Sequence, residues 1–275
     1  KHLLMKKTVA IKTLLPHLSL NAISLQRFQQ EAQAASNLKH PNIIAVHNFG
    51  TTPDGEPYLV MDYVAGEDLE SLLSREEIVA VPTALKWILQ VADGLQYLHS
   101  QKPPVFHRDV KPANIRITPN DQAMLVDFGL VKVLDSHVLT TQGARAITPG
   151  YAPPEQYGRG GTDARTDIYA LGATLYILVT GHEPLESVRR LAGEYMPSAH
   201  LANPNVTKPL SDAIERAMEL DPANRYQSIA EFRLALQTAQ SAATILIDKG
   251  SETMPVVGHE ALTIKPPMPA IELTQ

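Results

Sequence analysis

The sequence predicts an α+β fold of two lobes, a small β-rich lobe followed by a larger α-helical lobe. Early in the chain, β-branched and alternating apolar residues predict strands at 8–12, 42–49 and 58–63. Beyond Gly66 the apolar residues recur instead at helical spacing. We therefore expect an incomplete N-terminal lobe with its connecting hinge at 1–64, and a C-terminal lobe at 65–240.

Each predicted element has a sequence signal of its own. In the first lobe, apolar residues at helical spacing predict a helix at 28–38, and the turn at 52–55 has the chemistry of a hairpin loop. In the second lobe, we expect strands at 115–117 and 124–126 and helices at 69–73, 84–99, 168–180, 210–219 and 229–237. From about Ser241 the pattern fades into prolines and threonines, which predicts a linker or disordered tail at 241–275.

Composition excludes several classes of function. The 275 residues carry a formal net charge of -5 without a dense basic block, so we expect no nucleic-acid partner. The absence of cysteine excludes disulfides and thiolate zinc sites and fits a cytoplasmic location. No apolar run approaches the ~20 residues that span a bilayer. Since the first residue is not methionine, we interpret the chain as an N-terminally truncated piece of a longer protein. A membrane anchor in another part of that longer protein is compatible with this interpretation.

Three short segments contain most of the candidate catalytic and binding residues. They read Val-Ala-Ile-Lys at 9–12, His-Arg-Asp-Val-Lys-Pro-Ala-Asn at 107–114 and Asp-Phe-Gly at 127–129. Taken singly, each has a plain explanation as a strand end, a charged loop or a turn. Taken together and in this order, they resemble the signature segments of protein kinases. The resemblance runs from about residue 1 to residue 240 and implies a bilobal, protein-kinase-like fold that uses ATP.

The resemblance implies a role for each polar residue around Asp109. Asp109 would accept the proton of a substrate hydroxyl, and Lys111 would steady the transferred phosphate. Asn114 and Asp127 offer an amide oxygen and a carboxylate, the hard ligands that Mg²⁺ or Mn²⁺ prefers. Structural roles are implied for three neighbours, His107, Phe128 and Gly129.

The resemblance also implies that the nucleotide lies between the lobes. Lys12 would hold the α- and β-phosphates and would be fixed by an ion pair with Glu31. Met61 matches the gatekeeper position, and Asp68 is a candidate ribose contact. The base would contact Val9, Ala10, Asp62, Val64 and Arg116. Arg116 stands where an aliphatic residue is common, so we expect its methylene stem against the base and its charge in water.

Further matches lie downstream of residue 147. The segment at 152–155 resembles the family's Ala-Pro-Glu segment, and Glu155 would pair there with a buried Arg225. Asp167 would hydrogen-bond the backbone around Asp109. Lysine at 111 and threonine at 148 are typical of serine/threonine kinases, and the stretches 148–151 and 155–156 resemble bacterial members. The implied partners are therefore proteins that carry serine or threonine acceptors.

The threonines after Asp127 predict regulation by phosphorylation. Arg108 precedes the catalytic aspartate, as in kinases whose activation loop is ordered by a phosphate–arginine contact. We therefore predict a phosphosite at Thr140 or Thr141, with the alternative that both are ordinary loop residues. Thr148 is expected to support the substrate-binding loop.

One family feature is missing from the sequence. Only eleven residues precede Lys12 and none is glycine, so the Gly-rich loop that covers the phosphates is absent, and the glycines at 158–161 follow the wrong segment. Three interpretations remain open: an active kinase in trimmed form, a catalytically weak binding or scaffold module, and a small-molecule phosphotransferase of related fold. In the tail, autophosphorylated threonines would attract phosphothreonine-binding domains, while a plain linker is the simpler alternative; these threonines are Thr244, Thr253, Thr263 and Thr274.

Overall fold

The structure is a computed structural model that describes residues 8–13, 32, 35–127, 147–158 and 161–250. Several predicted site residues lie outside these described residues, namely Glu31, Phe128, Gly129, Thr140 and Thr141. The predicted helix at 28–38 is described only at its C-terminal end, where Ala32, Ala35 and Leu38 are buried.

The N-terminal lobe is built on an antiparallel sheet. Its strands are β1 (Val9–Thr13), β2 (Val46–Thr51) and β3 (Pro57–Asp62), in the spatial order β1-β3-β2. A tight hairpin loop joins β2 to β3, and Gly55 adopts a φ of 87° there, a conformation that glycine takes at little cost. The register sets Ala10 opposite Met61 and Lys12 opposite Leu59. Met61 and Leu59 are buried, so the inner face of β3 anchors the sheet on the core.

The second strand begins later than the predicted 42–49. Residues 42–44 pair across to the other lobe instead: Ile44 N–H donates to the carbonyl of Leu125 at 3.0 Å, and Leu125 N–H donates to that of Asn42 at 2.9 Å. The Asn42 side chain adds a bond to the carbonyl of Ala123 at 2.9 Å. Backbone groups that the prediction assigned to the small sheet therefore tie the two lobes together.

The C-terminal lobe is mostly helical. A short antiparallel sheet lies at its junction with the N-terminal lobe, with strands β4 (Glu67–Asp68), β5 (Ile115–Ile117) and β6 (Ala123–Leu125) in that spatial order. The helices are α1 (Leu69–Glu76), α2 (Val81–His99), α3 (Pro154–Tyr157), α4 (Ala164–Thr180), α5 (Ser187–Leu191), α6 (Ala199–Ala202), α7 (Lys208–Ala217) and α8 (Ile229–Gly250). Short 3₁₀ turns occur at Pro112–Asn114 and Pro222–Asn224.

Helix α4 is the centre of this lobe. Every residue from Thr166 to Thr180 is buried, as expected of a helix that is packed on all sides. It packs against α2 and α7, and α8 packs against all three. The helix ends at Gly181, whose φ of 71° and N–H bond to the carbonyl of Ile177 form a left-handed cap. A rigid, buried α4 gives the loops around it a fixed support.

The last helix is longer than the predicted 229–237. It extends to Gly250, ten residues beyond the expected lobe boundary at 240. Its buried residues Phe232, Leu236 and Ala239 hold the first part of the helix on the core. No helix in the described residues is both long and apolar enough to cross a membrane.

Candidate active site

The backbone of the loop that contains Asp109 is hydrogen-bonded to Asp167 on α4. Asp167 is completely buried and accepts backbone N–H bonds from His107 at 2.9 Å and Arg108 at 2.7 Å. It also bonds His99 Nε2 at 2.9 Å. Burial alone would raise the pKa of Asp167, but the bonds from His99 and from the loop backbone hold it below its usual value. Asp167 therefore stays ionised and keeps its hold on the loop backbone.

A second hydrogen bond holds the same loop, and it comes from the segment after Thr148. Gln156 Nε2 donates to the carbonyl of Arg108 at 2.9 Å. Arg108 has a φ of 63°, in the left-handed region that non-glycine residues seldom adopt. Such a conformation costs about 1–3 kcal/mol. The hydrogen bonds to the Arg108 N–H and carbonyl offset this cost and maintain the conformation. These bonds therefore fix the backbone from which the Asp109 side chain extends.

His107 packs beneath Asp109 as a neutral side chain. It is buried, and burial is the main reason that its pKa is lowered, although nearby carboxylates oppose the shift. Its Nε2 lies 3.3 Å from the carbonyl of Val126, and its Nδ1 lies 3.4 Å from the backbone nitrogen of Asp109. His107 thus links the Asp109 loop to the segment that leads into Asp127.

Three side chains converge on Asp109. Asn114 Nδ2 donates to the Asp109 carbonyl at 2.8 Å and to Oδ2 at 3.0 Å. Thr148 Oγ1 lies 3.3 Å from Oδ1 of Asp109, and Lys111 Nζ lies 3.4 Å from Oδ2. Lys111 Nζ also donates to Thr148 Oγ1 at 3.0 Å. The Asp109 side chain is 14% exposed, so the carboxylate is fixed but remains open to the cleft.

Across the cleft, Lys12 on β1 pairs with Asp127 at 2.9 Å. Both side chains are well exposed, at 42% and 40%. Val126 N–H donates to the carbonyl of Asn114 at 2.8 Å, which sets Asp127 beside Asn114. The predicted pair of Lys12 with Glu31 lies outside the described residues, and the ion pair with Asp127 was not predicted.

Asn114 and Asp127 fit a hard divalent cation. Asn114 uses its amide nitrogen on Asp109, which turns its oxygen away from that carboxylate. Its neighbour Asp127 brings a carboxylate, and a phosphorylated nucleotide would complete a set of oxygen ligands. Among the described residues no group of three or more His, Asp or Glu side chains forms a metal site by itself. The protein ligands for a cation are therefore few, as is common for Mg²⁺ bound together with phosphate.

The predicted contacts of the base cluster at the inner end of the small sheet. Ala10 lies opposite Met61, and both Met61 and Val64 are buried. Asp62 N–H already donates to the carbonyl of Ala45 at 3.0 Å, and the Asp62 carboxylate lies 2.7 Å from His47 Nε2. A base contact from Asp62 would therefore use its carbonyl oxygen.

Arg116 differs from the sequence expectation. Its guanidinium does not extend into water but bonds to the carbonyl of Gly66 and lies 3.7 Å from the carboxylate of Asp68. The same carboxylate caps helix α1 by accepting from Ser71 N–H at 2.8 Å. Gly66 is required at this crossing, because a Cβ there would overlap the carbonyl of Ile117. The carboxylate of Asp68, the predicted ribose contact, is therefore already bonded to residues of the C-terminal lobe.

A buried ion pair anchors the segment that follows Thr148. Arg225 is completely buried and binds Glu155 through both terminal nitrogens, at 2.7 and 2.9 Å. Its remaining N–H groups reach the backbone carbonyls of Glu219, Leu220 and Arg165. Because every donor direction has an acceptor, the charge is compensated despite its burial.

Two contributors were missed at the level of sequence. Gln156 was noted only as part of a family likeness, and nothing in its position indicates a bond to a residue 48 positions away. His99 ends helix α2, and its bond to Asp167 spans 68 positions. Both contacts depend on how separate segments approach in space, so local pattern carries no signal for them.

Comparisons with known proteins agree with this geometry. Residues 1–237 match the family described as "Protein kinase domain". The serine/threonine-protein kinase PknH of Mycobacterium bovis is 34% identical over 98% of the chain, and PknB of Mycolicibacterium smegmatis is 37% identical over 86%. The chain covers 47% and 39% of these two relatives, less than half of their length.

Solved structures give the same result. The crystal structure of the Mycobacterium tuberculosis PknI kinase domain is 30% identical with a TM-score of 0.68, covering 84% of this chain and 85% of that one. The structure described as "PpkA-294 apo form" has a TM-score of 0.72 at 27% identity, covering 85% of this chain and 88% of that one. The bilobal arrangement, the site and these similarities agree: the chain belongs to the protein kinase domain family, with its relatives among bacterial serine/threonine-protein kinases.

Proposed function

We propose that this chain is a protein serine/threonine kinase that transfers the γ-phosphate of ATP to serine or threonine hydroxyls of proteins, with Asp109 as the base. One observation carries the proposal. The hydroxyl of Thr148 lies within 3.3 Å of the Asp109 carboxylate and accepts from Lys111 at 3.0 Å. An alcohol of the same kind as the proposed acceptor therefore reaches the base and the cation together.

Transfer requires an aligned nucleophile and cations against the phosphate charge. The acceptor hydroxyl gives its proton to Asp109 as its oxygen bonds to the γ-phosphorus. The bond from that phosphorus to the β–γ bridging oxygen breaks, and ADP leaves with the electron pair. Lys111, held beside both Asp109 and Thr148, faces the charge that moves onto the transferred group. Asp109 then releases the proton to water.

The nucleotide side of the cleft would be formed by residues of both lobes. Lys12 would bind the α- and β-phosphates, which requires it to leave or share Asp127. Asn114 and Asp127 would hold Mg²⁺ or Mn²⁺, which supplies positive charge to the phosphates when bound. The base would lie against a set from both lobes, Val9, Ala10, Met61, Asp62, Val64 and Arg116. Asp68 is the candidate for the ribose, which would require its carboxylate to leave or share its bonds to Arg116 and Ser71.

A second candidate is a catalytically weak module that binds partners. The Lys12–Asp127 ion pair favours it, because at 2.9 Å the two groups proposed for phosphate and metal neutralise each other. ATP and a divalent cation compete directly with this pair in an active kinase. In a weak one, the pair persists in the presence of nucleotide.

Regulation by phosphorylation belongs to the same proposal. Arg108 is held by its backbone in the loop before Asp109, and its Nε is buried without a hydrogen-bond partner among the described atoms. Phosphate on Thr140 or Thr141 would supply that partner. Phosphothreonine-binding domains are the partners we propose for phosphorylated tail threonines. Phosphopeptide mapping after incubation with ATP and Mg²⁺ tests this, and an absence of phosphate from both loop threonines would refute the loop site.

Transfer of radiolabelled phosphate to a generic basic protein tests the main proposal. We expect Asp109→Ala to lower the rate by about 10²–10⁴-fold, the usual contribution of a positioned base. Asp54→Asn, which removes an exposed carboxylate from the hairpin loop, is the matched control and should retain the rate. Equal rates for the wild type and Asp109→Ala would refute the kinase assignment. The alternative module predicts that all three proteins transfer no phosphate.

A further inference from the structure

A cavity of about 540 Å³ opens beside the Asp109 loop, and the proposed reaction does not account for it. Helix α1 forms one side, the C-terminal end of α4 forms the other, and the Pro112 turn lies at the inner end. Gly181 is packed so closely on the segment after α1 that a Cβ there would lie 2.8 Å from the carbonyl of Glu77. The two sides of the cavity are therefore held together by the fold.

The cavity adjoins the place where the acceptor hydroxyl would react. Pro112 directly follows Lys111, the residue that contacts Asp109 and Thr148. On the other side, Tyr151 ends the turn that starts at Thr148, with Tyr151 N–H 3.3 Å from the Thr148 carbonyl. A substrate chain that presents its hydroxyl to Asp109 would have a neighbouring side chain at the mouth of this cavity, because extended residues are only about 3.3 Å apart.

The lining combines an apolar surface with carboxylates. Leu73, Ile177 and the ring of Tyr151 supply apolar area, while Glu70, Glu77 and Glu183 supply negative charge. Tyr151 O–H lies 3.3 Å from Oε2 of Glu183. Burial and the charges of Glu183 and Glu70 raise the pKa of Tyr151, so both carboxylates act on the same end of the cavity.

These carboxylates differ from two that lie nearby. Glu67 on β4 and Glu76 at the end of α1 both bind Arg75 at 2.9 Å. By contrast, the described residues that line the cavity include no lysine or arginine, and the histidine among them, His182, bonds through Nδ1 to the carbonyl of Thr180. A cationic side chain of a bound molecule would therefore complement these carboxylates.

We propose that this cavity binds an arginine or lysine side chain of the protein substrate, close in sequence to the phosphorylated residue. The aliphatic stem would lie on Leu73, Ile177 and Tyr151, and the cationic head would reach the carboxylates of Glu70, Glu77 and Glu183. Arginine and lysine match this lining because each has an aliphatic stem that ends in a cation. This inference rests on the proposed kinase function and adds a preference in the substrate.

Peptides that carry one threonine acceptor, with arginine or neutral citrulline at each neighbouring position in turn, test the preference. We expect arginine at one position to raise kcat/KM by about 10-fold or more over citrulline, since hydrogen bonds between charged groups are stronger than those to a neutral group. The gain should lie mainly in KM. In the Glu70→Gln/Glu183→Gln variant the ratio should fall close to unity.

Two further variants sharpen the test. Glu76→Gln removes the same charge from the end of α1 and should keep the wild-type preference. Glu183→Lys should reverse it and favour glutamate at the same peptide position. A wild type that phosphorylates the arginine and citrulline peptides equally at every position would overturn the inference, as would a double variant that keeps the preference.

Binding separates this inference from the reaction itself. Fluorescence anisotropy of the same peptides with Asp109→Asn measures the cavity without transfer. Tighter binding of the arginine peptide, with no phosphorylation by the wild type, supports the cavity and refutes the kinase function. Phosphorylation without any difference between the peptides, in rate or in binding, refutes the cavity and retains the kinase function.

Discussion

The two sides of the cleft are built differently. On the acceptor side, Asp109 extends from a loop that Asp167 and Gln156 hold through its backbone, and Asp167 is fully buried. On the nucleotide side, Lys12 and Asp127 are each about 40% exposed and bind one another. The difference suggests that the acceptor side is preformed, whereas the nucleotide side is arranged by the ligand that separates its ion pair.

The support of the acceptor side gives the largest expected effect. Arg225→Met leaves the Glu155 carboxylate without its buried partner, and we expect the free energy of unfolding to fall by about 3–5 kcal/mol. Urea unfolding followed by circular dichroism measures it. Arg75→Met, which breaks an exposed pair, is the control and should cause a much smaller loss. Similar losses for both variants would show that the buried pair does not support the lobe.

The nucleotide side should respond in function rather than in stability. Lys12→Met removes the charge that we propose contacts the phosphates, so we expect kcat/KM for ATP to fall by about 10–100-fold, from about 1.5–3 kcal/mol of lost interaction. The urea midpoint should stay close to that of the wild type because Lys12 is exposed. An unchanged kcat/KM for ATP would remove Lys12 from the nucleotide site.

Acid should weaken the acceptor side through His107. Burial lowers the folded-state pKa of His107, so below the ordinary value of 6.5 the unfolded chain binds a proton that the folded chain does not. This contribution to stability is complete above that pH and is lost as the pH falls, by at most about 1.4 kcal/mol per pH unit. Urea unfolding at several pH values should show a flatter acid limb for His107→Gln. Parallel limbs in both proteins would contradict it.

Arg116 should give the smallest effect. Arg116→Met breaks a partly exposed pair with Asp68 while leaving the Asp68 cap on helix α1, so we expect a stability change of less than about 1 kcal/mol. The Asp68 carboxylate, once freed from Arg116, would be available to the ribose hydroxyl that deoxy-ATP lacks. We therefore expect the KM for ATP to fall relative to the KM for deoxy-ATP. Asp68→Asn serves as the comparison, and an identical ratio in all three proteins would exclude a ribose role for Asp68.

Sequence predicted the features that depend on local spacing. The strands β1 and β3 follow from alternation, and the close spacing of Asp109, Lys111 and Asn114 already implies a shared loop. The order of three motifs also led to the family. These features need only chemistry within a short stretch of chain.

Contacts between distant segments were predicted only where the family resemblance implied them, as for Asp167 with the Asp109 loop and Glu155 with Arg225. Residues 42–44 pair with Leu125 rather than with the small sheet. The guanidinium of Arg116 is held by Gly66 and Asp68 because β4 runs beside β5. The Lys12–Asp127 pair joins the two lobes. Each depends on the packing of whole elements, which periodicity does not encode.

Measuring transfer and nucleotide binding together in Asp109→Asn tests the separation of the two sides most directly. We expect single-turnover phosphate transfer to a protein acceptor to fall by about 100-fold or more. The affinity for a non-hydrolysable ATP analogue with Mg²⁺ should remain close to that of the wild type, because Lys12 pairs with Asp127 rather than with Asp109, and Asn114 keeps its bond to the Asp109 backbone carbonyl. Unchanged transfer, or a loss of nucleotide binding equal to the loss of transfer, would contradict this arrangement.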